Sequence, residues 1–275
     1  MKIYDCITYC GEDLLLKIRL ETLYNNVDKF VIVEANKYFN GKVKPQLFNF
    51  KLFEKYSDKL EYYFIEDLPN YNGYNLEYEI FIKNQIARGL KNLNDEDIIL
   101  ISDVDEIPNL QNEKFKSFDS AVFLQKMYYY KFNINVSDGL KFKNKVPCTK
   151  SCKFKFFKSF DQVRKFRVKN IPWWRFDQKI KRYIELDGGW HFSFLMNSEG
   201  VRSKLSRFEH EISHLKGKEN YDMDSLMDIK KIEKNILDLK DPYERDHIKL
   251  KKVNIDESFP EYIFDNKKKL KEFII

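Results

Sequence analysis

The chain has 275 residues, 43% hydrophobic and 16% aromatic, with nine Gly, seven Pro and a formal net charge of +6. That supplies the apolar material for one large α/β domain and excludes a disordered, collagen-like or disulfide-scaffolded chain. No apolar run reaches the ~20 residues of a membrane span, and the residues after Met1-Lys2 read as a strand rather than a cleavable signal, so a cytoplasmic protein, at most peripheral to a membrane, is expected.

Residues 3–8 read as a first strand. Residues 12–24 follow a helical pattern, with Leu15, Leu16, Ile18, Leu20 and Leu23 in a broad apolar stripe. Residues 30–34 are a short run rich in β-branched side chains, hence a buried strand, and Asn40-Gly41 and Pro45 mark 36–45 as a loop. A third strand is expected at 61–65. A long helix is expected over about 76–93, from the spacing of Leu76, Ile80, Ile86, Ala87, Leu90 and Leu93. Residues 97–102 form a fourth strand. This alternation implies a mostly parallel sheet flanked by helices, with ligands beyond the carboxyl ends of the strands. Residues 121–135 and 153–167 are aromatic-rich and partly alternating, which suggests antiparallel strands and hairpins. Gly188-Gly189 reads as a turn entering another strand, and helical patterns dominate from about residue 198. No repeat, linker or clear domain boundary is visible.

Cys6, Cys10, Cys148 and Cys152 form two C-x-x-x-C pairs, which could supply four thiolates to zinc. The first pair lies in and just after a strand, where alternate residues face opposite ways, so reduced and mostly buried thiols are the plainer expectation. Charge is uneven. Residues 151–182 hold eleven Lys/Arg and two acids, Asp161 and Asp177, a local +9 against −3 for the rest. Such a segment is either a solvated basic face or a surface for a diphosphate, an acidic glycan or anionic lipid headgroups. No nucleic-acid recognition motif accompanies it.

The fourth strand ends in Ser102, Asp103, Val104, Asp105 and Glu106, and Pro108 stops further pairing. If the segment stays extended, Asp103 and Asp105 point the same way while Val104 points into the core. Two carboxylates beyond a strand end suit a hard divalent cation that takes its remaining ligands from phosphates. The competing explanation is a set of turn and capping residues.

These residues, with others in order along the chain, resemble glycosyltransferase family 17, the β-1,4-mannosyl-glycoprotein 4-β-N-acetylglucosaminyltransferases and their bacterial and viral relatives. The likeness is carried by Ile3-Tyr-Asp-Cys6, Asp13-Leu-Leu15, Ile18-Arg-Leu20, Val27-Asp28, residues 30–34 and 41–45, the acidic motif at 101–108, Gly189-Trp-His-Phe-Ser193, Glu199-Gly200, Lys204 and residues 260–273. The resemblance implies a GT-A-like, Rossmann-like α/β fold with an antiparallel β-rich second half and a helical C-terminus. It implies a single domain over residues 1–275, with a nucleotide-binding half at about 1–120 and an acceptor half at about 121–275. It also implies a UDP-sugar donor, UDP-GlcNAc in known members, a divalent metal (Mn²⁺ or Mg²⁺) and inversion at the anomeric carbon. The acceptor is expected to be a glycan, glycoprotein or glycolipid. With no Golgi anchor or stem at the start of the sequence, a bacterial or viral surface glycan is at least as well supported as a mannosyl-glycoprotein.

Within that reading Asp103 and Asp105 hold the metal, and His191 is a third ligand or a diphosphate contact. Glu106 leads as catalytic base, with Asp187, Glu199 and Glu211 as alternatives. Arg175 and Lys179 are candidate diphosphate contacts. Glu34, at the end of the second strand, either meets uracil or ribose or anchors a loop. Trp173, Trp174 and Trp190 offer rings that either stack on sugar faces or pack in the core. The segment Phe208-Glu-His-Glu211 resembles the family without an assigned role. Two other classes compete: a metal-dependent phosphoryl-transfer enzyme and a non-catalytic carbohydrate-binding protein. The first strand lacks the nucleophile pattern that the phosphoryl-transfer reading prefers.

Overall fold

The computed structural model describes residues 1–70, 73, 75–168, 180–207 and 223–275, in two compact units. The first unit comprises residues 1–125 and 147–189. It begins β1 (Ile3–Thr8), α1 (Asp13–Leu23), β2 (Lys29–Ala35), β3 (Leu60–Ile65), α2 (Asn75–Asn84), β4 (Ile98–Asp103), the short β5 (Glu106–Pro108) and β6 (Ser120–Tyr129), whose first six residues belong here. After β7 (Ile134–Asp138) of the second unit, it resumes with β8 (Lys145–Lys153), α3 (Phe160–Arg164) and β9 (Arg182–Glu185).

The strand order is β3-β2-β1-β4-β8-β6, with β9 beside β6. β1 to β4 pair in parallel, and β8 runs antiparallel to β4. The mostly parallel α/β sheet expected from the sequence is therefore present. From β1 the chain proceeds outward to β2 and β3 on one side, while β4 lies on the other. The boundary between β1 and β4 is thus a topological switch point, where open α/β sheets form a crevice beyond the strand ends.

Strand alternation assigns the two faces of this sheet. Tyr4 and Cys6, Val31 and Val33, and Ile99 and Ile101 pack with Tyr78, Ile82, Ile86 and Leu90 of the α2 segment and with Phe160, Val163 and Phe166 around α3. The opposite face carries Asp5 and Ser102, which meet Arg19 of α1. The helix expected at 76–93 is shorter than its pattern: α2 ends at Asn84 and a 3-10 turn covers Gln85–Gly89. Its buried stripe is Tyr78-Ile82-Ile86-Leu90, whereas Leu76 is exposed. The aromatic ring of Tyr78, not Leu76, starts the core face.

Residues 153–167 differ more from expectation. The strand stops at Lys153, and Ser159 then caps α3 by accepting a hydrogen bond from the Gln162 N–H. Phe160, Val163 and Phe166 recur at helical spacing, so the aromatic run fills the helix-facing core instead of a hairpin.

The second unit comprises residues 126–146 and 190–275. The end of β6 pairs antiparallel with β7 and parallel with β10 (Gly189–Ser193), in register from Trp190 opposite Lys126 to Ser193 opposite Tyr129. Helices α4 (Ser198–Arg207), α5 (Met223–Leu226) and α6 (Ile229–Leu237) follow, then β11 (Lys249–Lys252) antiparallel to β7, and α7 (Glu261–Asp265). The core joins Met127, Ile134 and Val136 to Val201, Leu205, Ile232 and Ile236. Among the described residues, no helix is long and apolar enough to cross a membrane.

Gly188 and Gly189 are required where they stand. A Cβ on Gly188 would lie 2.5 Å from the Leu124 nitrogen. One on Gly189 would lie 2.2 Å from the Ile107 carbonyl oxygen and 2.6 Å from the Asn109 nitrogen, and Gly189 has φ +113°. Backbone cannot yield as a side chain can. Gly189→Ala is expected to cost roughly 2–4 kcal/mol, read as a lowered urea midpoint. A change below about 0.5 kcal/mol, the scale of an ordinary surface substitution, would contradict this account.

Candidate functional site

The alternation of β4 sends consecutive side chains to opposite faces. Ser102 continues the Ile98-Leu100 face toward α1, and Asp103 continues the Ile99-Ile101 face toward α2. Asp103 is in register with Thr8, the last residue of β1, so it stands at the carboxyl edge of the switch point. The chain then turns at Val104-Asp105 before β5, so the segment does not stay extended as the i, i+2 argument requires. Val104 is buried, as expected. The Asp103 N–H donates to Glu106 Oε2 at 3.2 Å, which closes the turn.

Beneath the turn lies Arg19, fully buried. Its Nε and Nη2 donate to the two Asp5 carboxylate oxygens, each at 2.6 Å. Nη2 also donates to Ser102 Oγ at 2.6 Å, and Nη1 donates to the carbonyls of Asp103 (3.1 Å) and Glu106 (2.7 Å). All five guanidinium donors are thereby used. Thr149 Oγ1 donates to the same Glu106 carbonyl at 3.1 Å, and Gln125 supports Thr149 at 2.9 Å.

Above the turn is a cavity of about 220 Å³, lined by Glu79, Lys83, Ile101, Ser102, Asp103, Glu106, Pro147, Cys148, Lys150, Phe160 and Arg164. Lys83, nearly fully buried, pairs with Asp103 at 2.6 Å and with Glu79, one helical turn back, at 2.7 Å. Burial opposes its charge, but Asp103 and Glu79 outweigh that and raise its pKa. The Asp103 side chain remains 45% exposed. Burial pushes the Cys148 thiol well above its ordinary pKa, and Glu106, to which it hydrogen bonds, Asp105 and Asp103 push the same way. Lys150 donates to the Arg164 carbonyl, and burial lowers its pKa against the opposing charge of Glu106.

The cavity thus brings together Asp103 and Glu106 from the expected set. Asp105 is 8% exposed and is not among its lining residues. Glu34 is fully buried. Its carboxylate takes hydrogen bonds from Lys44, from the N–H groups of Leu47 (2.7 Å) and Phe48 (3.0 Å), and from Tyr62 (2.8 Å). Both oxygens are committed to the loop after β2, so Glu34 is a loop anchor rather than a nucleotide contact. Trp190 is 8% exposed and donates its indole N–H to the Ser258 carbonyl at 3.0 Å, so it is packed rather than offered to a sugar. His191, partly exposed, sits in the second unit opposite Met127. Glu199 is exposed in the first turn of α4. Asp187 is exposed and accepts from Asn109 at 3.5 Å. Arg175, Lys179, Trp173, Trp174, His210 and Glu211 lie outside the described residues.

Cys6 and Cys152 are buried in the sheet, and the four cysteines, none of them in a disulfide, do not come together as one metal-binding group among the described residues. The basic segment is not a uniformly free face where it is described. Lys153 and Lys155 both pair with Glu96, and Lys165 pairs with Asp161.

Sequence reasoning assigns no site role to Arg19, Glu79, Lys83 or Lys150, and it names Cys148 only as a possible zinc thiolate and Arg164 only within the basic segment 151–182. Three carried a signal: Arg19 interrupts the apolar stripe of α1, and Glu79 and Lys83 each directly follow a core residue of α2, Tyr78 and Ile82.

The model of the family described as Glycosyltransferase family 17 matches residues 1–245. No curated protein matches the chain.

Proposed function

We propose that this chain, which belongs to glycosyltransferase family 17 and is therefore a glycosyltransferase, takes its sugar from a nucleotide-diphosphate donor bound with a divalent cation in the cavity beyond β4. UDP-GlcNAc is the leading donor and a glycan hydroxyl the acceptor, free or on a protein or lipid. The observation that carries this reading is the half-exposed Asp103 carboxylate at the switch point of an α/β sheet consistent with a GT-A-like fold.

The lining chemistry fits a hard cation such as Mn²⁺ or Mg²⁺, with Asp103 supplying an oxygen ligand at the cavity, Asp105 behind it in the turn, and Glu106 left for the acceptor proton. Three carboxylates, Glu79, Asp103 and Glu106, face three cationic side chains, Lys83, Lys150 and Arg164. A diphosphate entering alone would add uncompensated negative charge to this balanced set. A bound divalent cation would supply the offset and stabilise the charge that develops on the leaving diphosphate.

The proposed reaction is an inverting displacement. The acceptor oxygen forms a bond to the anomeric carbon as the bond to the diphosphate oxygen breaks. The acceptor proton passes to a carboxylate, for which Glu106 is the candidate in the cavity. Lys83 holds Asp103 in place and keeps a positive charge beside the departing phosphate.

A thermal-shift series with UDP-, GDP- and CMP-sugars, each with and without Mn²⁺, tests the reading. A ligand that binds only the folded state raises the melting temperature by mass action. A rise with UDP-sugar plus Mn²⁺, and a smaller one without metal, is expected. No shift with any metal–nucleotide pair overturns the proposal.

A further inference from the structure

We infer that Arg19 is a positioning residue for sugar transfer, acting through the acidic turn that it holds from below. This rests on the reading of that turn as the donor site. Arg19 touches no cavity surface, yet its five donors tie three separate pieces together: Asp5 on β1, Ser102 on β4 and the carbonyls of Asp103 and Glu106 on either side of the turn. A buried ion pair needed only to neutralise Asp5 would use two of those donors. The other three fix the height and direction of the chain where Asp103 leaves the sheet. Arg is suited to this because its donors are planar and rigidly spaced, while Lys offers one compact ammonium on a flexible stem. Arg19→Lys can still neutralise Asp5, but it cannot reach Ser102 and both carbonyls together. The turn would then lose its ties to the Arg19 fork and keep the Thr149 bond to the Glu106 carbonyl and the Lys83–Asp103 pair.

The test compares wild type, Arg19→Lys and Phe53→Ala. Phe53 is a buried residue whose ring stacks on Phe48, so its loss destabilises the same unit without touching the turn. Two quantities are measured well below each melting temperature. The first is hydrogen exchange of the peptide spanning residues 101–108, relative to peptides from β1 and β2. The second is steady-state transfer from UDP-GlcNAc with Mn²⁺. Arg19→Lys is expected to speed exchange in 101–108 at least tenfold while β1 and β2 stay protected. Its kcat should fall at least tenfold, with the donor KM changed less than kcat. Phe53→Ala should keep wild-type kcat and slow exchange at 101–108 despite its lower stability. If Arg19→Lys and Phe53→Ala behave alike, Arg19 serves stability only and the inference fails. If wild type transfers no sugar from any nucleotide donor, the donor-site reading fails and takes this role with it. Those two failures are told apart by the wild-type measurement.

Discussion

Asp103→Asn is expected to lower sugar transfer by about 100- to 1,000-fold, the scale seen when one preorganised electrostatic contact to a developing charge is removed. The substitution keeps the shape of the side chain and its place opposite Thr8, and Lys83 keeps Glu79 as partner. The fold should therefore survive, with a melting temperature within a few degrees of wild type. Asp105→Asn is the informative comparison. The Asp105 side chain is nearly buried in the turn and away from the cavity lining, so its loss should show first in stability. The measurements are steady-state turnover of UDP-GlcNAc with saturating Mn²⁺ and thermal melting of both variants. Full turnover by Asp103→Asn would sink the assignment of the cavity. Lost turnover at undiminished stability in Asp105→Asn would instead restore the paired-carboxylate arrangement that the extended-strand argument describes.

Lys83→Met is expected to destabilise the protein by about 3–5 kcal/mol, because removing one member of a buried charge network leaves the others without compensation. Glu79 is the exposed weakness: its side chain is 11% accessible and its ion pair with Lys83 is lost, while Asp103 can turn to solvent. Lys83→Met combined with Glu79→Leu should therefore recover at least half of the loss. The pH dependence has a definite sign. A lysine whose folded pKa is raised contributes stability that is fully present below its unfolded value, about 10.4, and is lost as pH rises through the folded one. The stability gap between wild type and Lys83→Met should thus be flat across neutral pH and close only in strong alkali. Urea melts at several pH values check both points. A gap under 1 kcal/mol at neutral pH, or no recovery in the double variant, would show that Lys83 is not the keystone of this network.

The parallel sheet was legible because its strands are apolar, short and β-branched, and apolar helical stretches lie between them. Position along the chain also pointed to the end of β4, where a cavity lies. What the alternation rule could not convey is that the strand ends at Asp103. Beyond that residue the carbonyls of the turn are claimed by Arg19, and Asp105 follows the turn, not the pleat. Glu34 shows the same limit. An acid at a strand end reads identically whether it meets a ligand or four donors of its own chain, and here the path of residues 44–48 and Tyr62 on the neighbouring strand decides. Lys83 escaped notice for another reason. Its chemistry depends on a partner twenty residues away across the α2–β4 connection, a pairing that no local pattern encodes. At residues 153–167, aromatic content suggested strands, while the capping serine at 159 and the 160-163-166 spacing were the stronger evidence.

β11 has a bearing on how the protein behaves in concentrated solution. Among the described residues it lies at the edge of its unit's sheet beside β7, and it presents Lys249, Lys251 and Lys252 to solvent. Its register also breaks between Lys249 and Leu250. An open strand edge is a template on which another chain can add a strand and begin to aggregate. Here a second copy arriving edge to edge would bring three lysines against three lysines, and the register break would spoil a continuous ladder. The composition of this one short strand thus disfavours edge-to-edge pairing of two copies along it.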